Sequence, residues 1–425
     1  MAYSTINKST ANMSVKTYTG NGGSQSITGV GFQPDWSWIK KRNGAADSSL
    51  MDAVRGVRKS LTSNNNEAEY TESAGLSAFD SDGFSFDGSG YDHVNTNGDN
   101  FVAWNWKAGG TSPTKTYKVV VVSDSGNKYR FRNSADTATF AQSAVTLNLQ
   151  EGGTYTFDVS DSTMNSHPFV IGTAANSSEY STGVTYKLDG VTKTYSQYTS
   201  GFSAATSRQL IITVADSAPA LYYWCSVHSG MGGAINTNAT HGSSNFDGNV
   251  QSLVTANTNL GISIVRYSGN GSASATIGHG LGTKLDLVIA KDRDGVEGWH
   301  SHFEQLADGE NYRLNETHGQ YSKDSQFSYG VVDCNESNSH AFKFLGTGSN
   351  VNNVNESSRT YTAICFSNRA GSLRCSEYIG NGNADGTFIY TGFKPKFLIL
   401  KRNTSESWIC VNDATGSNNA FPYTT

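Results

Sequence analysis

The sequence predicts an all-β protein built from tandem sandwich-like domains, with one further β-sandwich inserted between the first two. Composition is the first observation. Among 425 residues there are 45 Gly but only 6 Pro, aromatics reach 11%, and Ser, Thr and Asn fill the segments between apolar runs. Many short strands joined by tight polar turns have that composition, and helical bundles do not. A hydrophobic share of 36% is enough to fill several cores, which excludes a disordered chain. The second observation is an internal repeat, and the third is a long segment of different pattern that interrupts it.

The repeat opens three times. Residues 15–44 read VKTYTGNGGSQSITGVGFQPDWSWIKKRNG, residues 264–295 read IVRYSGNGSASATIGHGLGTKLDLVIAKDRDG, and from Ser376 the chain runs SEYIGNGNADGTFIYTGFKPKFLILKRNTS. Each copy has a Tyr, a Gly-Asn-Gly turn, a β-rich stretch, a Gly-aromatic or Gly-Leu corner, and an apolar strand with Lys near its end. The closing strands match as well, FVAWNWKAGG at 101–110 with YTAICFSNRAG at 361–371. Such periodicity outranks any local reading of single elements. The expected division is 1–111 for the first unit, 112–240 for the insertion, 241–372 for the second unit and 373–425 for a partial third. Asn236 to Asn249, poor in apolar residues, reads as the linker out of the insertion. The third unit stops after roughly fifty residues, as a partial domain or as a piece of a longer chain.

The repeat also decides between two uses of tryptophan. Trp36 with Trp38, and Trp104 with Trp106, are spaced for one face of a strand and could stack on sugar rings. The sister copies put Leu287 and Phe397 at Trp36, Ile289 and Ile399 at Trp38, Ile364 at Trp104 and Phe366 at Trp106. Stacking needs a flat ring, whereas packing needs only volume, so these positions are expected in the core of their unit.

Within the interrupting segment, one stretch carries chemistry. YYWCSVHSGMGG (222–233) ends an apolar strand and places Cys225, His228 and Met231 three residues apart on one short loop. A trigonal copper site needs one thiolate, two imidazoles and a weak axial thioether. The second imidazole is expected from His167 in NSHPFVIG, because the chain before and after it alternates as half-buried strands do (Val145–Leu149, Thr154–Phe157). A structural reading stands beside this one: the fold is kept, no metal is bound, and the Cys and His simply pack.

Those residues resemble the cupredoxins, the Greek-key β-sandwiches of small blue-copper proteins, over about Lys115 to Ile235. The resemblance implies copper as cofactor and His167, Cys225, His228 and Met231 as its ligands. The spacer between His228 and Met231, Ser229-Gly230, is shorter than in many members. The flanking units resemble repeated domains of virion structural proteins of tailed phages, especially marine phages. YSTINKST, TGVGFQPDWSWIK, GDNFVAWNWKAGG and GNVQSLVTANTNLGISIVRYSGNGS running into IGHGLG carry that likeness. It implies an appendage or fibre-like component without a defined reaction.

Several function classes drop out. A net charge of −5 with no long charged run steers the chain to neither nucleic acid nor an anionic membrane. Apolar runs such as Val119–Val122 are too short to span a bilayer, and MAYSTINKST lacks the features of a secretory signal. Five scattered Cys form no disulfide framework. Asp80-Ser81-Asp82-Gly83 with Asp87 has oxygens for Ca²⁺ but not the full loop spacing, so a hairpin turn is expected. His300 and His302 are expected as an exposed edge pair. Gly-Asn-Gly is a turn, because no helix start or Lys-Ser/Thr comes after it. No Ser/His/Asp or paired-carboxylate constellation stands out.

The leading expectation is therefore a non-enzymatic virion component, in a tail, fibre-like appendage or surface decoration, serving assembly or host attachment. It would be made in the host cytoplasm without a signal peptide and would form a homo-oligomer. Its partners would be other virion proteins and a host-surface glycan or receptor. The rival is a copper-binding, electron-transfer protein of cupredoxin type.

Overall fold

The computed structural model describes residues 11–90, 94–307, 309–321, 331–334, 338–345, 352–415 and 421–422, so the opening MAYSTINKST lies outside the described residues. The protein is all-β, and its sheets pack as sandwiches. Two compact units form, one from 1–110 with 255–425 and the other from 111–254.

The first repeat contains β1 (Met13–Thr19), β2 (Ser24–Ile27), β3 (Trp36–Lys41), β4 (Ser48–Asp52), β5 (Lys59–Thr62), β6 (Tyr70–Thr71), β7 (Leu76–Asp80), β8 (Gly83–Asp87) and β9 (Asn100–Trp106). Its main sheet has the order β1-β9-β3-β4-β5-β6, and a small sheet β2-β8-β7 covers one face. Ile39, Met51, Phe101 and Ala103 of the main sheet meet Ile27, Leu76, Phe84 and Phe86 of the small one in a closed core. Gly-Asn-Gly is a turn as expected: Gly22 has φ +73° and Asn95 Oδ1 accepts the Asn21 amide at 3.1 Å.

The inserted unit comes next, with β10 (Thr114–Ser123), β11 (Asn127–Phe131), β12 (Leu147–Gln150), β13 (Thr154–Asp158), β14 (Phe169–Ala174), β15 (Ser177–Glu179), β16 (Val184–Leu188), β17 (Val191–Lys193), α1 (Tyr195–Gly201), β18 (Arg208–Thr213), β19 (Leu221–Cys225), β20 (Gly233–Asn238) and β21 (Ser243–Asn245). Two sheets, β11-β10-β13-β18-β16-β17 and β12-β20-β19-β14-β15, enclose an aromatic core. Most neighbours are antiparallel, but β10–β13 and β12–β20 run parallel.

The expected linker is part of this core. The Ser244 carbonyl accepts Lys115 Nζ at 2.6 Å and the Tyr117 hydroxyl at 2.7 Å, while Ser243 Oγ lies 2.6 Å from the Tyr155 hydroxyl. Phe246 stacks on Phe131 with ring centroids 4.8 Å apart. Small polar residues are buried there because they satisfy the polar ends of larger core side chains, whose desolvation would otherwise be costly. Burial drops the Lys115 ammonium to about 8. The unit thus runs to Val254 rather than ending near 240.

β22 (Ser252–Asn257) crosses out of the insertion, and the second repeat resumes the first one's plan. It has β23 (Ile262–Ser268), β24 (Thr276–Gly278), β25 (Leu287–Asp292), β26 (His300–Phe303), β27 (Tyr312–Arg313), β28 (Val331–Asp333), β29 (Ala341–Leu345), α2 (Asn352–Asn355) and β30 (Thr360–Phe366). Within the seven-stranded sheet β21-β22-β23-β30-β25-β26-β27, the run β23-β30-β25-β26-β27 matches β1-β9-β3-β4-β5 of the first repeat, and the small sheet β24-β29-β28 matches β2-β8-β7. Register agrees too: Trp36 faces Trp106 and Trp38 faces Trp104, as Leu287 faces Phe366 and Ile289 faces Ile364. The third repeat has β31 (Phe397–Leu400), β32 (Ile409–Asn412) and β33 (Phe421–Pro422), the counterparts of β3, β4 and β5.

The four tryptophans are buried, but not inside their own sandwich. Strand alternation puts Trp36, Trp38, Trp104 and Trp106 on the face opposite Ile39 and Ala103. There Trp36 stacks on Trp106 at 4.2 Å and lies 6.2 Å from Phe366 of the second repeat. Phe397 of the third repeat sits 5.4 Å from Trp104 and 5.3 Å from Trp106. The contact rule is the same in both cases: the first residue of one repeat's β3-type strand meets the last residue of another repeat's β9-type strand. A second joint also recurs. Trp299 Nε1 donates to the Thr62 carbonyl at 2.8 Å, and Trp408 Nε1 to that of Arg313 at 2.9 Å. Lys291 reaches the Asn66 carbonyl and Lys401 that of Thr317. Glu69 ties the first two repeats further, its carboxylate bonded to Arg55 and to Arg293.

The insertion enters and leaves the repeat array at one place. A Cβ on Gly109 would stand 2.0 Å from Thr255 Oγ1, so the Gly109 backbone lies directly against the Thr255 side chain. Buried Asp35 accepts the amides of Ala108, Gly109 and Gly110 at 2.7–3.1 Å, which pins the exit of β9 without help from the inserted chain. Replacing residues 111–254 by a two-glycine link should therefore leave a cooperative melt and a β-type circular dichroism spectrum. Loss of soluble folded protein would refute an autonomous array. Separately, Trp36→Ala should cost about 3–5 kcal/mol by opening a cavity in the shared face, and Trp36→Leu clearly less, as read by denaturant unfolding.

Candidate metal centre

Adjacent strands of the inserted unit bring three donors together. β14 and β19 pair with Phe169 opposite Cys225. His167 precedes β14 by two residues and Cys225 ends β19, so strand pairing alone sets them side by side. The loop after Cys225 then returns His228 to the same point. Cys225 Sγ lies 3.9 Å from His167 Nδ1 and 3.7 Å from His228 Nδ1, and the three donor atoms all fall within 4.8 Å of one another. Metal–nitrogen bonds of about 2.0–2.1 Å and a metal–sulfur bond of about 2.3 Å, opened to about 110–120°, put sulfur and nitrogen about 3.6–3.8 Å apart. The two sulfur–nitrogen separations, 3.7 and 3.9 Å, are close to that spacing.

The loop is tied down on every side. Ser226 N donates to the Pro168 carbonyl at 3.1 Å, and Tyr129 N to that of Met231 at 2.9 Å. Lys128 Nζ donates to the Gly230 carbonyl at 2.6 Å, while the Gly230 amide donates to Asn176 Oδ1 at 3.0 Å. Gly232 is obligatory, because a Cβ there would come within 1.8 Å of the Tyr223 carbonyl oxygen. Met231 is buried on this loop, three residues beyond His228.

The ring of His167 is oriented by neighbours that the sequence did not single out. The Asn127 side-chain amide lies 3.3 Å from Nε2, which leaves Nδ1 turned toward Cys225. The Tyr129 hydroxyl donates to the His167 carbonyl at 2.9 Å. A partner on the outer nitrogen is what a metal-binding imidazole ordinarily has. Burial, and then the nearby His228, push the His167 pKa below its usual value, so the ring stays neutral and keeps a lone pair for a ligand. Cys225 and His167 are buried while His228 is exposed, which leaves the centre one open side.

Other candidates resolve differently. Asp82 accepts the Gly29 and Gly31 amides, Asp80 the Ser85 hydroxyl and Asp87 the Gly75 amide, so the three carboxylates serve separate turns. His300 and His302 are buried rather than exposed, because β26 pairs on both sides, with β25 and β27. His302 Nδ1 accepts the Cys334 amide at 3.2 Å. Among the described residues, no helix is long and apolar enough to cross a membrane.

No curated protein and no solved structure matches this chain. A family of domains does match, over residues 8–131 and 234–423, and the gap between the two stretches contains His167 and Cys225 with the loop carrying His228 and Met231. The chain belongs to the family described as a domain of unknown function, DUF7483, and carries its candidate metal centre in a segment that interrupts the family's pattern.

Proposed function

We propose that this chain is a non-catalytic structural protein, an array of β repeats, whose inserted unit binds one copper ion. The observation that supports the metal reading is the convergence of one thiol and two imidazole Nδ1 atoms at 3.7–3.9 Å. Cys225 would supply the thiolate, His167 and His228 the two imidazoles, and Met231 a weak thioether, a donor set that suits copper of the blue-site type. Copper held there would supply one-electron chemistry. On this reading Cys225 would give up its proton on binding, Asn127 would orient His167, and exposed His228 would be the side a redox partner reaches. Among the described residues the other thiols join no comparable donor group, and burial pushes Cys375 and Cys410 up to about 12 and raises Cys334 and Cys365 as well.

Added Cu(II) should give the full-length protein an intense visible absorption from thiolate-to-metal charge transfer. Cys225→Ser should abolish it, His167→Ala or His228→Ala should shift or bleach it, and Met231→Leu should alter it least. Protein that takes up no stoichiometric Cu(I) or Cu(II) with all four residues intact would leave a fold without a metal role.

The array itself favours a second part of the reading, a component of a virion appendage. Three copies of one β unit joined by a recurring contact are the construction of a spacer or attachment surface rather than of a catalyst. Its partners would then be other virion proteins and a host-surface glycan or receptor. Electron microscopy of particles labelled with an antibody to this protein should place the label on appendages. Label confined to soluble protein in lysates of infected cells would favour a free copper protein instead.

A further inference from the structure

Three reactive side chains that the metal reading does not use meet where the inserted unit begins and ends. Lys115 lies on β10, the first strand of that unit, and Asn245 on β21, the last strand wholly inside it, with Asp247 two residues further. Lys115 Nζ donates to the Ser244 carbonyl at 2.6 Å, so the amine is held at the peptide link into Asn245. Asn245 is only 3% exposed, and both ends of its carboxamide are bonded to one residue. Its Oδ1 accepts the Asp247 amide at 2.9 Å, and its Nδ2 donates to Asp247 Oδ2 at 2.9 Å. Phe246, stacked on Phe131, and the Tyr117 ring under Nζ give the cluster apolar walls.

We infer that Lys115 and Asn245 form an isopeptide cross-link, with Asp247 as the proton carrier. An amine attacks a carboxamide only when uncharged. Burial lowers the Lys115 ammonium to about 8, which leaves about a tenth of it as free amine at pH 7. Asp247 stays a carboxylate: burial opposes its charge, but Ser134, Asn245 and Lys115 hold it below the usual range. Rotation about the last torsions of the lysine stem brings Nζ from the Ser244 oxygen to Cγ of Asn245. The Nζ–Cγ bond forms while the Asp247 amide stabilises the charge gathering on Oδ1. Asp247 Oδ2 takes one amine proton and returns it to Nδ2, the Cγ–Nδ2 bond breaks, and ammonia leaves. The other amine proton stays on the new amide, so the step balances without an outside reagent. Holding both partners in a folded core supplies the effective concentration that the same groups lack in solution. The link would join the two family-matched stretches across the interruption between them. It would constrain the unfolded chain of the unit as a disulfide does.

The full-length protein, denatured and weighed by mass spectrometry, should be lighter than its sequence by one ammonia. Proteolysis should release one branched peptide that joins the Lys115 segment to the Asn245 segment. Lys115→Arg and Asn245→Ser should each restore the sequence mass, and Asp247→Asn should do so while keeping the wild-type circular dichroism spectrum. Wild-type protein at its full sequence mass would overturn the inference. So would ammonia loss without a branched peptide, which marks a succinimide at an Asn-Gly turn, or a link that forms as completely in Asp247→Asn as in the wild type.

Discussion

Everything in the repeat array depends on a sheet that is apolar on both faces. A strand alternates its side chains, so a main sheet carrying Ile39 and Ala103 on one face and Trp36, Trp38, Trp104 and Trp106 on the other has two surfaces to remove from water. The small sheet covers only the first. Leaving four indole rings in solvent would forfeit about 1.5–3 kcal/mol or more for each, so the second face must be met by another copy. Repetition is the consequence. Phe366 and Phe397, both from sister repeats, lie against these rings, and the sister repeats use smaller residues at the equivalent positions because the tryptophans already fill the space between.

The same constraint explains how the array tolerates an insertion of another fold. The shared face is made of strand interiors, whereas the insertion leaves from the turn after β9 and returns beside it. Asp35 holds three successive amides at that exit, and Gly109 touches Thr255. The two ends are thus closed into a short loop of the host, whatever lies between them. Connections are usually where such additions fall, since they disturb neither core nor ladder. The interruption in the family match, from 132 to 233, falls within the inserted unit, with family-matched residues on both of its flanks.

Much of this was legible in the residues, for identifiable reasons. Strand alternation and the three Tyr…Gly-Asn-Gly openings carried the repeat, and the register inferred between copies is the register observed, Trp36 with Leu287 and Trp104 with Ile364. What alternation cannot tell is which apolar face belongs to which core. The tryptophans were therefore expected inside their own unit, when they in fact fill the space between units. The segment after Asn236 misled for the opposite reason. Ser243 and Ser244 read as solvent-loving, but their oxygens complete the hydrogen bonding of Lys115, Tyr117 and Tyr155, three residues far away in sequence. His300 and His302 misled likewise, because being an edge strand is a property of the sheet and not of the strand.

The candidate donor trio was more legible than its surroundings because donors are chemically conspicuous and supports are not. Cys, His and Met three apart on a loop announce themselves by type. Asn127, Tyr129 and Asn176 are ordinary polar residues that matter only once β11 and β14 are placed near the loop. Their contribution is nonetheless what separates a site from a coincidence. A thiol and two imidazoles on an unrestrained loop would lose side-chain and backbone freedom on gathering, at a cost of about 1–2 kcal/mol per fixed residue. Here strand pairing, an obligatory Gly232 and four backbone anchors have removed that freedom during folding. A ligand arriving at Cys225, His167 and His228 would meet donor atoms already held within 4.8 Å of one another. The ordering cost falls on folding and not on binding, which is the physical sense in which the inserted unit is built around this point.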